Sequence, residues 1–450
     1  MRLGLSLPSA ALYRQRGQPL APETTSLLAR MSVQPAAGRR TQIDTLVKSL
    51  LAAGIWTKLD ALYLLAAHDA QAARLNLVPW SGPVTNTLVN SEFAGAAAGA
   101  VPAGLSLAGF AAGSGSNYEI QGVDIVNGRR YLRLRLYGTS VVVNPITISL
   151  RSDTNVEVGQ RWTSSASVEL VSGTWVSGLS AVTLRLNGES GGANFTPGAL
   201  AQYSNTRVAT VASTGSNIVL RFSTPNAATT PVSYDVVLRI GMPQLVQMDV
   251  PGAYIPTSTG TAAQVQTLSR FDLSAVNSPL FTTDRGFTGN GTTSYLDTNA
   301  NPSFDFSKVA LNSAAYGVWV ASATTSANST IGATVSLVPV VSRSDADTAY
   351  CRVHTTSSLV ATGVTTSIGL TAGNRSAANA IQLYRNGMSI AASAAASSAM
   401  PTELWVGRNV GTYYPGQIAV VFAGASLSGG EHLALHSALR IYLMAVGAAS

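Results

Sequence analysis

The chain changes its hydrophobic rhythm partway along. Residues 41–53 place Ile43, Leu46, Val47, Leu50 and Leu51 three and four apart, which predicts an amphipathic helix. Gly54 is positioned to end it. A shorter helix is expected over 24–31, opened by Pro22 and Glu23, because proline's missing N–H costs little in a first turn. Residues 56–67, with Leu59, Leu62 and Tyr63 on one face, read as a third helical run, and 68–75 as a fourth. A helical region over 23–78 thus follows an extended arm over 1–22, which holds Pro8 and Pro19 and shows no periodicity.

From Pro79 the pattern becomes alternating. Strand-like runs lie at 130–137, 141–150, 162–170, 182–186, 207–211, 218–222 and 234–240, separated by Gly, Asn and Ser turns. That spacing predicts a β-sandwich. After the Thr- and Ser-rich stretch 257–267, read as a linker, strands resume at 286–298, 404–407 and 417–423. Residues 381–389 (IQLYRNGMS) form a hairpin with Asn386-Gly387 at its tip. A short helix should open at Ser428. The fold class is therefore mainly β: two antiparallel β-sandwiches with a small N-terminal helical region.

Composition agrees. A chain of 450 residues suggests two or three domains. Only 11% of residues are charged, against roughly 25% in an average domain. One cysteine, Cys351, excludes an intrachain disulfide framework and reads as a small apolar strand residue in AYCRVH. The net charge is +7, and residues 1–75 carry nine Lys/Arg against four Asp/Glu. Arg133 and Arg135 alternate with Leu132, Leu134 and Leu136, which marks an exposed strand face, so no nucleic-acid partner is expected. No run is long and apolar enough to imply membrane insertion, and Pro8 interrupts any signal-peptide core.

Three sets of residues carry family resemblances. Residues 286–298 (GFTGNGTTSYLDT) and 416–435 (GQIAVVFAGASLSGGEHLAL), with the hairpin and LWVG between them, resemble the concanavalin A-like, laminin-G-like lectin domain. Residues 87–105 and 238–257, the latter with PQL and YIPT, resemble the carbohydrate-binding-module-like jelly rolls of phage tail proteins. The segments 68–77 and 271–286 resemble stretches that run almost directly together in phage and prophage proteins with a lectin-like C-terminal domain. The resemblances imply an attachment arm at 1–22, a helical region at 23–78, an inserted jelly roll at 79–268 and a lectin-like domain at 269–450. They imply a virion structural protein of tail-fibre or decoration type on the particle's exterior, homo-oligomeric and by fibre analogy trimeric. Its arm would hold other virion proteins, and its sandwiches would meet host surface polysaccharide. A purely architectural role in head, collar or tail is the alternative.

Catalytic constellations are not expected. His432 and His436 stand four apart on the terminal helix, but Glu431 precedes both instead of lying in a His-Glu-x-x-His order; a solvent-facing polar stripe accounts for them. The carboxylates Asp297, Asp305, Asp345, Asp347 and Glu403 do not form the dense acidic strand of sandwich-fold glucanases. The protein is thus expected to bind and not to catalyse, with no cofactor. Calcium is the one ion considered, through Asp297, Asn299, Asn301, Asp345 and Asp347, although Asx turns explain the same residues. Glycan binding is expected where aromatic rings and planar hydrogen-bonding groups share a loop: Arg408, Asn409, Tyr413 and Tyr414 in the C-terminal domain, and Trp175 in SGTWVSG. Trp162 and Trp319 read as core.

Overall fold

The structure is a computed structural model that describes residues 19–110, 113–140, 145–176, 179–189, 191–215, 217–224 and 231–449. Most of the expected arm, residues 1–18, lies outside the described residues, as do 141–144 of one expected strand. The chain divides into two compact units, one built from residues up to Pro79 together with those from Phe271 onward, the other from Trp80–Arg270. Both are antiparallel β-sandwiches.

In the Trp80–Arg270 unit, one five-stranded sheet runs in the order Ala201–Val208, Arg161–Ser172, Val232–Val246, Arg129–Ser140, Ser116–Val126. The other runs Leu105–Ala108, Pro145–Arg151, Asn217–Ser223, Val182–Leu186, Ala193–Phe195. Alternation dictates the core: Leu132, Leu134 and Leu136 point in, and Trp162 is buried among them. Arg133 and Arg135 point out and pair with Asp124, Glu119 and Asp235. The unit's first and last strands lie side by side, Trp80–Asn86 against Ala262–Leu268, with Trp80 opposite Leu268. The segment read as a linker is therefore a strand from Ala262. Adjacent ends are the geometry that lets a complete module sit inside a host chain.

In the other unit, helices α1 (Pro22–Ala29) and α2 (Ala37–Ala52) bury Leu27, Leu28, Ile43, Leu46, Val47 and Leu50. Gly54 follows α2 at φ +68°, where a side chain would be strained. The third helical run does not form. Trp56–Lys58 makes one 3-10 turn, and Leu59–Leu64 is a wholly buried strand antiparallel to Gln417–Gly424. From Ala61 to Ala67 the run is apolar on every side, so a 3.6-residue stripe cannot be told from a strand buried on both faces; an open sheet edge takes it. Asp60, the one charge of the strand Leu59–Leu64, accepts the backbone N–H groups of Ser307, Lys308 and Val309 at 2.8, 3.0 and 2.8 Å. Helix α3 (Ala70–Arg74) is only five residues long, capped by Asp69.

One sheet here runs Leu280–Thr282, Gly286–Thr288, Gln417–Gly424, Ala314–Val320, Gly369–Ala377, Ala380–Arg385, Met388–Ser393, with Leu59–Leu64 on the same edge of Gln417–Gly424 as Gly286–Thr288. The facing sheet runs Ser274–Val276, Tyr295–Asp297, Trp405–Val406, Ile331–Gly332, Val340–Val341, Thr348–Cys351, Leu359–Thr362. Residues 286–298 thus supply one short strand to each sheet. Cys351 and Trp319 are core, and burial pushes the Cys351 thiol up to about 12.

Helix α4 (Gly429–Ala445) opens at Ser428 with a capping box to Glu431 and runs for 17 residues, longer than the short helix expected. Its histidines do not form a solvent-facing stripe. His432 is fully buried against Tyr384, and His436 stacks on Trp319 with centroids 5.4 Å apart and planes at 6°. The reason is the Asn386-Gly387 hairpin tip, which packs the sheet directly against this face of the helix: a Cβ on Gly387 would lie 2.8 Å from the Leu433 Cα.

Candidate binding site

At one end of the second sheet, strands Tyr295–Asp297 and Trp405–Val406 pair, with Leu296 opposite Val406 and Asp297 opposite Trp405. Leu296 points into the core, so Tyr295 points out, on the face that carries Trp405. Two residues further on, Arg408–Asn409 and Thr412–Tyr413 form a tight hairpin that sets Arg408 opposite Tyr413.

These elements converge on the Arg408 guanidinium. It lies 3.9 Å from the Trp405 ring centroid, 4.6 Å from Tyr295 and 5.6 Å from Tyr413. Tyr295 in turn meets Trp405 edge-on at 5.7 Å and Tyr413 at 6.2 Å. Cation–π attraction at such distances contributes about 0.5–2 kcal/mol, more as the site dries. Arg408 Nε is buried with no hydrogen-bond partner among the described residues. Tyr295, Arg408 and Tyr413 are half-buried, so each offers an edge to solvent. The hairpin tip is strained: Val410, β-branched and 56% exposed, sits at φ +55°.

Of the four residues expected here, the structure brings together Arg408 and Tyr413 and removes the others. Tyr414 is not an exposed platform. Its ring is 2% exposed and lies beneath Gly416, and burial raises its phenol to about 12. Strand alternation sends one tyrosine of an adjacent pair inward. Asn409 is also buried; its amide oxygen accepts from Ala333 N at 3.3 Å and its nitrogen donates to Ser336 Oγ at 3.4 Å, which ties down the 333–336 loop. Tyr295 and Trp405 were missed. The alternation of SYLD places Tyr295 outward and was a usable signal; nothing local connects it with Trp405, more than a hundred residues away.

The remaining candidates do not join this cluster. Trp175 packs edge-on against Phe222 at 5.1 Å, donates to the Ser180 carbonyl at 3.3 Å and is a half-buried part of its own core, not a free loop aromatic. The calcium candidates separate into two groups. Three strands lie between Tyr295–Asp297 and Thr348–Cys351 in the sheet, a gap of roughly 19 Å at normal strand spacing. Asp297 accepts from Asn299 N at 2.8 Å in an Asx turn, Asn301 accepts from Ser303 N at 3.1 Å, and Arg343 holds Asp347 at 2.7 Å, four residues away within the turn that also carries Asp345. Among the described residues, no group of three or more His, Cys, Asp or Glu is placed to hold a metal ion.

Beside Tyr295, toward Gly289 and Tyr414, the surface opens into a crevice of only about 10 Å³. That holds one water, not a sugar ring. Any ligand of the cluster therefore lies across it and does not enter a chamber. No known protein-family model matches this chain, and no curated protein matches it.

Proposed function

We propose that this protein is a bacteriophage virion structural protein, of fibre or decoration type, that attaches reversibly to host surface polysaccharide through its β-sandwiches. The supporting observation is the Arg408 cluster: three aromatic rings around one guanidinium whose Nε has no partner among the described residues, at the end of a rigid sandwich. Aromatic faces stack on the apolar faces of sugars, while a guanidinium bonds hydroxyls in a fixed fork. Ring packing pre-sets the Arg408 fork, so little side-chain entropy is lost on binding. Single sites of this kind are weak; repeated copies on one particle raise avidity by about 10²–10⁴ when geometry allows. The basic arm at 1–22 is proposed to hold other virion proteins, in a homo-oligomer.

The test is host-cell and glycan-array binding by Tyr413→Ala and Arg408→Gln, each checked by thermal melting. Tyr413 is half-exposed, so its variant should melt near wild type while binding weakens by about 1–3 kcal/mol. Full-strength binding by both folded variants would remove the cluster as the receptor site.

A further inference from the structure

A second and wider cleft lies within the Trp80–Arg270 unit. Its floor is the outward face of Val182–Leu186 and Asn217–Ser223, where Thr183 stands opposite Arg221 and Arg185 lies two residues along. Val182, Leu184 and Leu186 are buried, so Thr183 and Arg185 must point out. Asn194 flanks Thr183 on the other side and accepts its hydroxyl proton at 2.6 Å. Arg207 reaches in from Ala201–Val208, the edge strand of the other sheet, over Gly191; a methyl group there would collide with its guanidinium. The cleft encloses about 420 Å³, the size of an ordinary small-ligand site.

Its charge is not balanced by ion pairs in the way that Arg133, Arg135 and Arg239 of the same unit are. Arg133, Arg135 and Arg239 each meet carboxylates. Arg185, Arg207 and Arg221 make no ion pair among the described residues. Glu189 lies near enough to Arg207 to attract it, but its oxygens are held by Thr210 N, Thr210 Oγ1 and Val211 N at 2.7, 2.8 and 3.1 Å. Arg185 Nε is buried with no hydrogen-bond partner among the described residues. Burial, and then the charge of Arg221, makes Arg185 easier to deprotonate than an ordinary arginine.

We propose that this cleft binds the oxyanion groups, carboxylate or sulfate, of an acidic saccharide, with Arg185, Arg207 and Arg221 as the anion-binding residues. Guanidinium forks match such oxyanions with paired N–H donors. Thr183, Asn194, Ser180 and Ser223 around them are suited to sugar hydroxyls. A single-stranded nucleic acid fits less well, because it needs accessible rings for its bases. Among the described residues lining the cleft the one aromatic, Phe222, is 2% exposed. The site is independent of the Arg408 cluster and has its own chemistry.

The experiment is calorimetric titration of the full chain with four probes: an oligogalacturonate, a heparin-derived oligosaccharide, a neutral dextran oligosaccharide and a single-stranded oligonucleotide. At least one acidic saccharide should bind, the dextran should not, and affinity should fall as salt rises. The first two probes distinguish carboxylate from sulfate. Arg185→Gln and Arg221→Gln should each weaken binding at least tenfold, and Tyr413→Ala should leave it unchanged. Because Arg221 repels Arg185 in the free protein, Arg221→Gln should melt no lower than wild type. Four results would overturn the proposal: no binding of either acidic probe, equal binding of dextran, tighter binding of the oligonucleotide, or unaltered binding by both arginine variants. Loss of binding accompanied by a lower melting temperature in both variants would assign these arginines to structure and overturn it as well.

Discussion

His432 lies flat against Tyr384, with ring centroids 3.8 Å apart and planes 18° from parallel. Neither imidazole nitrogen has a hydrogen-bond partner among the described residues, and burial lowers the ring's pKa from 6.5 to about 4. His354, enclosed between Tyr316 Oη at 2.9 Å and the Leu311 carbonyl at 2.9 Å, is lowered by burial to about 4 as well. Both rings are neutral in the fold at neutral pH.

Acid should therefore unfold this unit before its carboxylates are neutralised. Between about pH 6.5 and 4 the unfolded chain binds the two protons and the folded chain does not, so stability rises with pH across that window. Melting temperature should be flat above about pH 7 and fall steadily toward pH 4, a loss on the order of a few kcal/mol. His432→Phe keeps the stack without the titration, and its melting curve should depend less on pH. An unchanged pH profile in that variant would show that His432 does not supply the effect.

The hairpin tip that meets helix α4 should tolerate no side chain. Gly387 combines φ +82° with a place 2.8 Å from the Leu433 Cα for any Cβ. Gly387→Ala is expected to cost about 1–3 kcal/mol, read as a lower melting temperature. Because the contact closes over His432, the same variant should bring that imidazole's NMR titration closer to 6.5.

At the other hairpin strain can be relieved. Val410 is exposed and left-handed, where a β-branched side chain costs roughly 1–2 kcal/mol and asparagine is far better tolerated. Val410→Asn should raise stability by up to about 1 kcal/mol, measured by denaturant midpoint at constant slope.

Residues 80–270 and residues 271–450 should differ as isolated fragments. Residues 80–270 contain both five-stranded sheets and their paired first and last strands, and should unfold cooperatively when expressed alone. Residues 271–450 lack Leu59–Leu64, which leaves Val420–Gly424 bare on that edge of Gln417–Gly424, beyond the two residues paired with Phe287 and Thr288, and should aggregate. In the full chain, Asp60→Ala should destabilise its own unit by about 2–4 kcal/mol, because one buried and two part-buried backbone N–H groups lose their acceptor. Circular dichroism and size exclusion chromatography distinguish these outcomes; a soluble, folded 271–450 fragment would show that the strand is dispensable.

Local rules were enough wherever one short segment settles its own conformation. Ile43 to Leu50, with Gly54 after them, specify a helix and its end; Leu132 to Leu136 specify a strand and its faces; Asn386-Gly387 and Ser428 with Glu431 specify a turn and a cap. Each depends on backbone preference and spacing within about a dozen residues. What the tertiary structure alone decided lies where distant segments meet. Leu59–Leu64 became a strand because the edge of Gln417–Gly424 was open, and adjacent tyrosines took opposite fates, Tyr414 to the core and Tyr413 to the surface. Arg408 found Tyr295 and Trp405 through strand pairing, while Arg185, Arg207 and Arg221 converged from two sheets. Those groupings depend on which edges pair and which faces close, and free energies of that kind are summed over the whole core, not written in any one stretch of chain.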